Sequence, residues 1–365
     1  MQTTIPVNDP RAVKRWSTNL ALDAEKDLYW KKFMAAGDNS VIQRMMELED
    51  GAGDTISYDL NMRLRSGMVY GDNKADGNEE ALQFYTDQVR IDQARKPVSA
   101  GGKMTNQRTL HNLRKLCKDR LGEYFAEWQD DLVTVYLSGD SALSAINQDS
   151  KVVGAFAGNA ITAPDAAHLM YGGAATSKAT ITAADTMTVK LIERASVKPN
   201  MMNAVNPDAI RMSPVSIDGN KHFVLVMSEF QAYDMRVETG DLSWSKIAQA
   251  AATAEGRNSP IFKGGLGLVN NVVLHKHTNI RRYADYGAGS NVGAARALLL
   301  GRQAGTIAFG QGNTGNRYNW VEESKDYGNV LGVSAGAIMG FKKNTFNGLD
   351  FAVIAIDTAS RDPNA

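Results

Sequence analysis

Residues 56–65 alternate strictly. Ile56, Tyr58, Leu60, Met62 and Leu64 are apolar, and Ser57, Asp59, Asn61, Arg63 and Arg65 between and after them are polar. A period of two puts all the apolar side chains on one face of an extended strand and the polar ones on the other. The turn-forming stretch Gly71-Asp-Asn-Lys-Ala-Asp-Gly77 follows, and a second extended segment runs from Leu82 through Phe84, Val89 and Ile91 to Pro97-Val98. Together they predict one long hairpin. Two strands bury too little surface to be stable alone, so the apolar face needs cover from a sheet, a helix or another subunit.

After Gly101-Gly102 the period becomes helical, with Leu110, Leu113, Cys117, Leu121, Tyr124, Trp128, Leu132 and Val135 stepping by three or four. The spacing predicts a single helix from Thr105 to about Leu137, roughly 50 Å long at about 1.5 Å per residue. Arg114, Lys115, Lys118 and Arg120 lie early and Glu123, Glu127, Asp130 and Asp131 late, an order that opposes the helix dipole. These charges are expected on a solvated face, or against complementary charges on a neighbour. In the first fifty residues, Trp16, Leu20, Leu28, Tyr29, Trp30 and Phe33 are scattered as on an arm, and Asn39-Ser40 can cap a helix through Val41–Leu48. Tryptophans on such an arm need a surface to cover.

Residues 138–180 are rich in Gly, Ala, Ser and Asn and predict loops. Thr182-Ala-Ala-Asp185 is expected to open a second helix through Val189, Ile192 and Val197 that stops at Pro199. Phe223–Met227, Val269–His275 and Phe351–Ile356 predict strands, and Ser228–Val237 and Ser243–Thr253 predict helices. The fold class is therefore α+β, with an arm, a hairpin and a long helix ahead of a mixed body.

With 365 residues the chain exceeds the size at which one core keeps growing, about 250 to 300 residues, so two or more substructures are expected. Forty basic residues balance forty acidic ones, which removes the long-range field that steers proteins onto nucleic acid. The single Cys117 excludes an intrachain disulfide. No apolar run approaches the roughly 18 residues of a membrane span, and residues 1–10 lack a basic-then-apolar leader, so a cytoplasm-like compartment is expected.

Candidate chemical motifs fail on context. Gly310-Gln-Gly312-Asn-Thr-Gly315 matches a dinucleotide loop, yet Asn316–Trp320 has no helical period to place N–H groups on a pyrophosphate. Gly332-Val-Ser334-Ala-Gly336 matches a hydrolase elbow, but the last histidine, His277, precedes the serine, the wrong order for that fold. His275 and His277 share a strand face without further ligands at metal spacing. Neighbouring acids, Glu79-Glu80 and Glu322-Glu323, diverge and are expected to be solvated. No catalytic, cofactor or metal site is expected, and elements that cannot bury their own apolar faces point to assembly.

The ordered patches Gly53-Asp-Thr55, Leu64-Arg-Ser-Gly67, Gly77-Asn-Glu-Glu80, Ile91-Asp-Gln-Ala-Arg95, Met104 with Gln107-Arg108, Ala295–Gly301 with Gln303-Ala304, Asp326-Tyr-Gly-Asn329, Gly340–Lys343 and Phe346 resemble a tailed-phage major capsid protein of the Hong Kong-type fold. More narrowly, they resemble the coat-protein family typified by bacteriophage N-four. The resemblance implies an N-terminal arm (1–50), an E-loop hairpin (51–103), a peripheral domain with a spine helix (104–200), an axial domain (201–319) and a return segment (320–365).

It also implies pentamers and hexamers in an icosahedral shell around double-stranded DNA contacted non-specifically. A separate scaffolding protein, a portal and a decoration protein are the further partners. Location is the virion, after assembly in the host cytoplasm, with no membrane. The expected intersubunit contacts are Trp16, Tyr58, Arg63, Arg65, Glu79, Glu80, Arg90, Arg95, Asp326 and Tyr327. A cellular nanocompartment shell and an oligomeric α+β enzyme are the alternatives.

Overall fold

The computed structural model describes residues 28–50, 52–62, 64, 66–140, 150–152, 154–205, 211–217, 219–238, 265–311 and 318–363. Trp16, Arg63, Arg65 and the expected helix Ser243–Thr253 lie outside these residues.

The arm enters through a short 3₁₀ turn, Tyr29–Phe33, followed by β1 (Met34–Ala35), β2 (Ile42–Met45) and a single helical turn α1 (Glu47–Asp50). The helix expected over Val41–Leu48 is thus mostly a strand. Ile42 and Val41 are fully buried, and β2 runs parallel to β13 (Gly305–Gly310), so long-range pairing overrides the local cap signal.

The hairpin forms over a shorter range than expected, because its returning segment, expected to run on to Val98, divides into two strands. β3 (Thr55–Asn61) pairs antiparallel with β4 (Phe84–Arg90), with Ile56 opposite Val89, Tyr58 opposite Asp87 and Leu60 opposite Tyr85. The chain then turns at Ile91 into β5 (Asp92–Gly102), which leaves the hairpin and pairs with β15 (Val330–Lys343) from Asp92↔Met339 to Gly102↔Val330.

The long helix is two helices. α2 (Lys103–Arg108) ends before Thr109, whose backbone is extended, and α3 (Leu113–Ser138) restarts after Asn112, whose side chain accepts from Lys115 N at 3.1 Å. Only α3 therefore serves as the spine, and it ends at Gly139 in the left-handed region at φ 68°. A Cβ there would lie 2.2 Å from Thr162 O, so only glycine fits this close approach. Every residue from Trp128 to Ser138 is buried, so Asp130 and Asp131 are not on a solvated face as the charge pattern suggested. They bind backbone instead. Asp130 accepts from Tyr29 N and Trp30 N at 3.0 and 3.1 Å, and Asp131 Oδ2 accepts from Lys151 N and Val152 N.

The helix expected at Thr182 also starts late. Thr182–Asp185 is a turn, closed by Thr182 N and Oγ1 on Asp185 Oδ2, and the helix α4 runs Val189–Val205 with Pro199 inside it. Leu191, Ile192, Ala195, Pro199 and Met202 are buried, so the apolar stripe continues past the proline and packing outweighs its cost of about 3 kcal/mol.

Two sheets share one core with α3. In the first, β15 is the central strand. β5 lines one edge, while β13 and then β14 (Tyr318–Lys325) line the other, and β2 and β1 extend beyond β13. The second contains β6 (Leu169–Tyr171), β7 (Val215–Ile217), β8 (Asn220–Met227), β9 (Gly267–Val269), β10 (Val272–Lys276), β11 (Arg282–Tyr286), β12 (Val292–Leu300) and β18 (Val353–Ala359). Helix α5 (Glu229–Val237) follows β8, capped by Ser228. A small hairpin, β16 (Thr345–Phe346) with β17 (Leu349–Asp350), links the sheets. The buried ion pair Arg296–Asp357, at 2.7 Å and completed by Tyr286 Oη, ties β12 to β18.

Candidate assembly interface

The hairpin is fixed at its root and bare at its tip. At the root Ile56 and Val89 are buried with Ala308, and Met45, Leu48 and Ile91 pack around them. Between the hairpin and the body stands Asp87, itself buried, whose carboxylate pairs with Lys342 and accepts from Tyr58 Oη (3.2 Å) and Thr345 N (3.1 Å). Tyr58 Oη also meets Asn344 Oδ1 at 2.9 Å, and burial, reinforced by the Asp87 charge, pushes its pKa up. Opposite charge, satisfied bonds and low exposure make this a rigid joint.

A second joint sits where β4 becomes β5. The buried Asn159 accepts from Arg90 N and donates to Arg90 O, both at 2.9 Å, and reaches Phe341 O at 3.3 Å. Gly340 lies directly beneath, where a Cβ would be 1.9 Å from Arg90 O.

Farther out the apolar residues lose their cover. Leu64, Met68, Tyr70, Leu82 and Phe84 are all exposed, Met68 by 79% and Tyr70 by 74%. The tip holds its own shape, since Glu80 Oε2 accepts from Ser66 N and Oγ at 2.8 Å and Glu79 accepts from Gly77 N at 2.8 Å. A large apolar surface this exposed marks an interaction site.

The residues expected at intersubunit contacts do not form one cluster. Glu79 and Glu80 are at the tip, Tyr58 is in the root joint, and Arg90 is exposed at the bend; the seven residues of β4 alone put about 20 Å between root and tip. Arg95 lies along β5 over Gly336, on an outer edge whose Arg95, Lys96 and Pro97 discourage uncontrolled strand pairing. Asp326 and Tyr327 form the β14–β15 turn at φ 53° and 49°, which presents the fully exposed Tyr327 ring at the far end of the first sheet.

Sequence reasoning missed Asp87, Asn159 and Gly340, because the groups they meet are distant along the chain. It also placed Glu322 on a solvated face, whereas its carboxylate is largely buried between Arg114 Nε (2.9 Å) and Trp320 Nε1 (2.8 Å).

The chemical motifs have clear structural settings. Ser334 lies in the middle of β15, paired with Val321 and Pro97, with no elbow turn. The strand β14 begins at Tyr318 after the glycine loop, where a cofactor site needs a helix; residues 312–317 lie outside the described residues. His275 is buried with Nδ1 3.2 Å from Lys32 Nζ, and His277 stacks on Tyr29 at 4.1 Å. Among the described residues no group of three or more His, Cys, Asp or Glu is placed to hold a metal, and no helix is long and apolar enough to cross a membrane.

Comparison with known proteins agrees with this architecture. The family model for phage capsid protein matches residues 4–362. The major capsid protein of Pseudomonas phage KPP25 is 28% identical, with 94% of each chain covered. The capsid of Ralstonia phage GP4 superposes with a TM-score of 0.85 at 49% identity over all of both chains. The capsid of cyanophage Pam1 has a TM-score of 0.68 at 21% identity, covering 99% of this chain and 95% of that one, a likeness of fold. The arm, clamped hairpin, spine helix and two-sheet body are those of the Hong Kong-type capsid fold, and the chain belongs to the phage capsid protein family as a major capsid protein.

Proposed function

We propose that copies of this chain assemble as pentamers and hexamers into an icosahedral shell around packaged double-stranded phage DNA. The observation that carries the proposal is the hairpin, clamped at Asp87 and Asn159 and apolar at an uncovered tip. Such a lever is useful only if a neighbour covers it. The expected contacts Trp16, Tyr58, Arg63, Arg65, Glu79, Glu80, Arg90, Arg95, Asp326 and Tyr327 belong to this proposal. Exposed ion pairs among them contribute under about 1 kcal/mol each, and repetition around a shell multiplies small terms.

The five-part division of arm (1–50), hairpin (51–103), peripheral domain (104–200), axial domain (201–319) and return segment (320–365) accompanies it. The return segment places β14 and β15 in one sheet and β18 in the other, which supports its role in joining the two. A formal charge of zero suits a container that lets DNA slide, with non-specific contacts only. Assembly in the host cytoplasm with a scaffolding protein, a portal and a decoration protein completes the proposal.

The test replaces residues 66–82 with a short Gly-Ser turn. The expected product is a folded protein with unchanged far-UV circular dichroism that forms no rings or shells, whereas the unaltered chain does. Shell formation by the shortened protein would refute the hairpin's role.

A further inference from the structure

We propose that Lys343 and Asp350 of one folded chain react with each other and join their side chains through an amide bond. The reaction lies within a single copy and is independent of the shell-building role above. The two residues flank the small hairpin β16–β17, seven positions apart.

Local structure sets the pair up. Asn347 and Gly348 turn the hairpin at φ 51° and 73°, which places Thr345 opposite Asp350. Lys343, two residues before Thr345, stands diagonal to Asp350, a separation that the long lysine side chain spans. Phe351 N donates to Asn344 O at 3.1 Å and Asp350 N to Asp165 Oδ2 at 2.8 Å, so the backbone beside both residues is held.

The reacting groups are close and dry. Lys343 Nζ lies 2.7 Å from Asp350 Oδ1, and the two side chains are 1% and 3% exposed. That contact puts the nitrogen roughly 3.5 Å from the carboxyl carbon, the range of a near-attack conformer. Burial pulls the Lys343 amine down and pushes the Asp350 carboxyl up, each against the opposing charge of its partner. Both shifts favour the neutral amine and the neutral acid, the forms that condense. Replacing two buried charges with one neutral amide also removes their desolvation cost.

The hydrogen bonds fit the product. Asp350 Oδ2 is buried without a hydrogen-bond partner among the described residues, so its departure breaks no bond. Lys343 Nζ also donates to Thr162 O at 2.9 Å, and the single N–H of the product amide can keep that bond.

In the first step a proton passes from the Lys343 ammonium to the Asp350 carboxylate. The neutral amine then attacks the carboxyl carbon. The C–N bond forms, the bond from that carbon to Oδ2 breaks, and Oδ2 leaves as water with its own proton and one from the nitrogen. Nothing is oxidised or reduced. The product is a covalent ring around the hairpin that links the two sheets, beside Asn344, which binds Tyr58 at the root of the long hairpin.

Intact-mass spectrometry of the full chain in denaturant, where only covalent links survive, tests the proposal. The purified protein is expected to weigh one water, about 18 Da, less than its sequence. Trypsin should fail to cut after Lys343, and peptide 343–361 should be recovered with fragment ions that join Lys343 to Asp350. Lys343→Arg should restore the full mass and cleavage after position 343. The unaltered chain carries the decisive readout, so the outcome does not depend on how well the variant folds. Full mass with normal cleavage after Lys343, in protein held folded for several days near neutral pH, overturns the proposal. So does a loss of water that maps to another residue or persists in Lys343→Arg.

Discussion

Gly340→Ala isolates the joint between hairpin and body. The added Cβ would lie 1.9 Å from Arg90 O and 2.8 Å from Arg90 C, where real Cβ atoms essentially never approach closer than 3.0 Å, so one backbone must retreat by about 1.1 Å. Both obstructing atoms are main chain and neither can rotate away. Overpacking of this kind costs about 1–3 kcal/mol. The retreat also stretches the bonds of Asn159 to Arg90 N and O, each 2.9 Å long, which adds about 1 kcal/mol apiece.

The expected total of about 3–5 kcal/mol falls on the hairpin root rather than on the body. Amide exchange at Arg90 should therefore accelerate at least about a hundredfold, since about 1.4 kcal/mol is a factor of ten, and shells should fail to form. Gly336→Ala on the same strand is the control. Its nearest obstacle is the flexible Arg95 Cγ at 3.1 Å, and a loss under about 1 kcal/mol is expected. Unchanged exchange at Arg90 and normal shells from Gly340→Ala would refute the idea that this approach aims the hairpin.

Asp87→Ala should cost about 3–5 kcal/mol in denaturant unfolding, because it leaves the partly buried Lys342 ammonium without its carboxylate and Thr345 N without an acceptor. Arg296→Ala should cost a similar amount by leaving Asp357, 1% exposed, as an unpaired buried charge; a loss below about 1 kcal/mol would contradict it. Burial raises the Asp130 carboxyl to about 7, against the opposing pull of the Tyr29 and Trp30 N–H groups and Lys32. A carboxyl raised in the folded state contributes stability below its unfolded pKa and loses that contribution as pH rises from about 4 through about 7. Asp130→Asn cannot lose it, so the melting temperature of the variant relative to the unaltered chain should rise over that window, and a constant difference would refute the assignment.

The hairpin was legible because its alternation is local and strict, and its register needs only the two strands. The strands Phe223–Met227 and Phe351–Ile356 and the helix after Ser228 were legible for the same reason, with apolar runs and a capping box inside a few residues. The rest failed where distant contacts decide. Ile42 is drawn into a strand by pairing with β13, more than 250 residues away along the chain, and Pro199 sits in a helix because Met202 beyond it still faces the core. Asp130 and Asp131 look like solvent-facing acids until the arm and the loop at Lys151 arrive to donate N–H groups to them. The assembly surface was half legible. An apolar hairpin face in need of cover follows from the alternation at residues 56–65, but the joints that aim the hairpin, Asp87 with Lys342 and Asn159 with Arg90, connect positions whose proximity only the fold creates.

The central claim is that this chain builds a closed shell from many copies of itself. Electron microscopy with light-scattering mass on the purified protein, over a range of concentration and salt and with a candidate scaffolding protein added, tests it directly. Rings of five or six subunits and closed shells tens of nanometres across are the expected result. A monodisperse monomer, dimer or tetramer under every condition would contradict it.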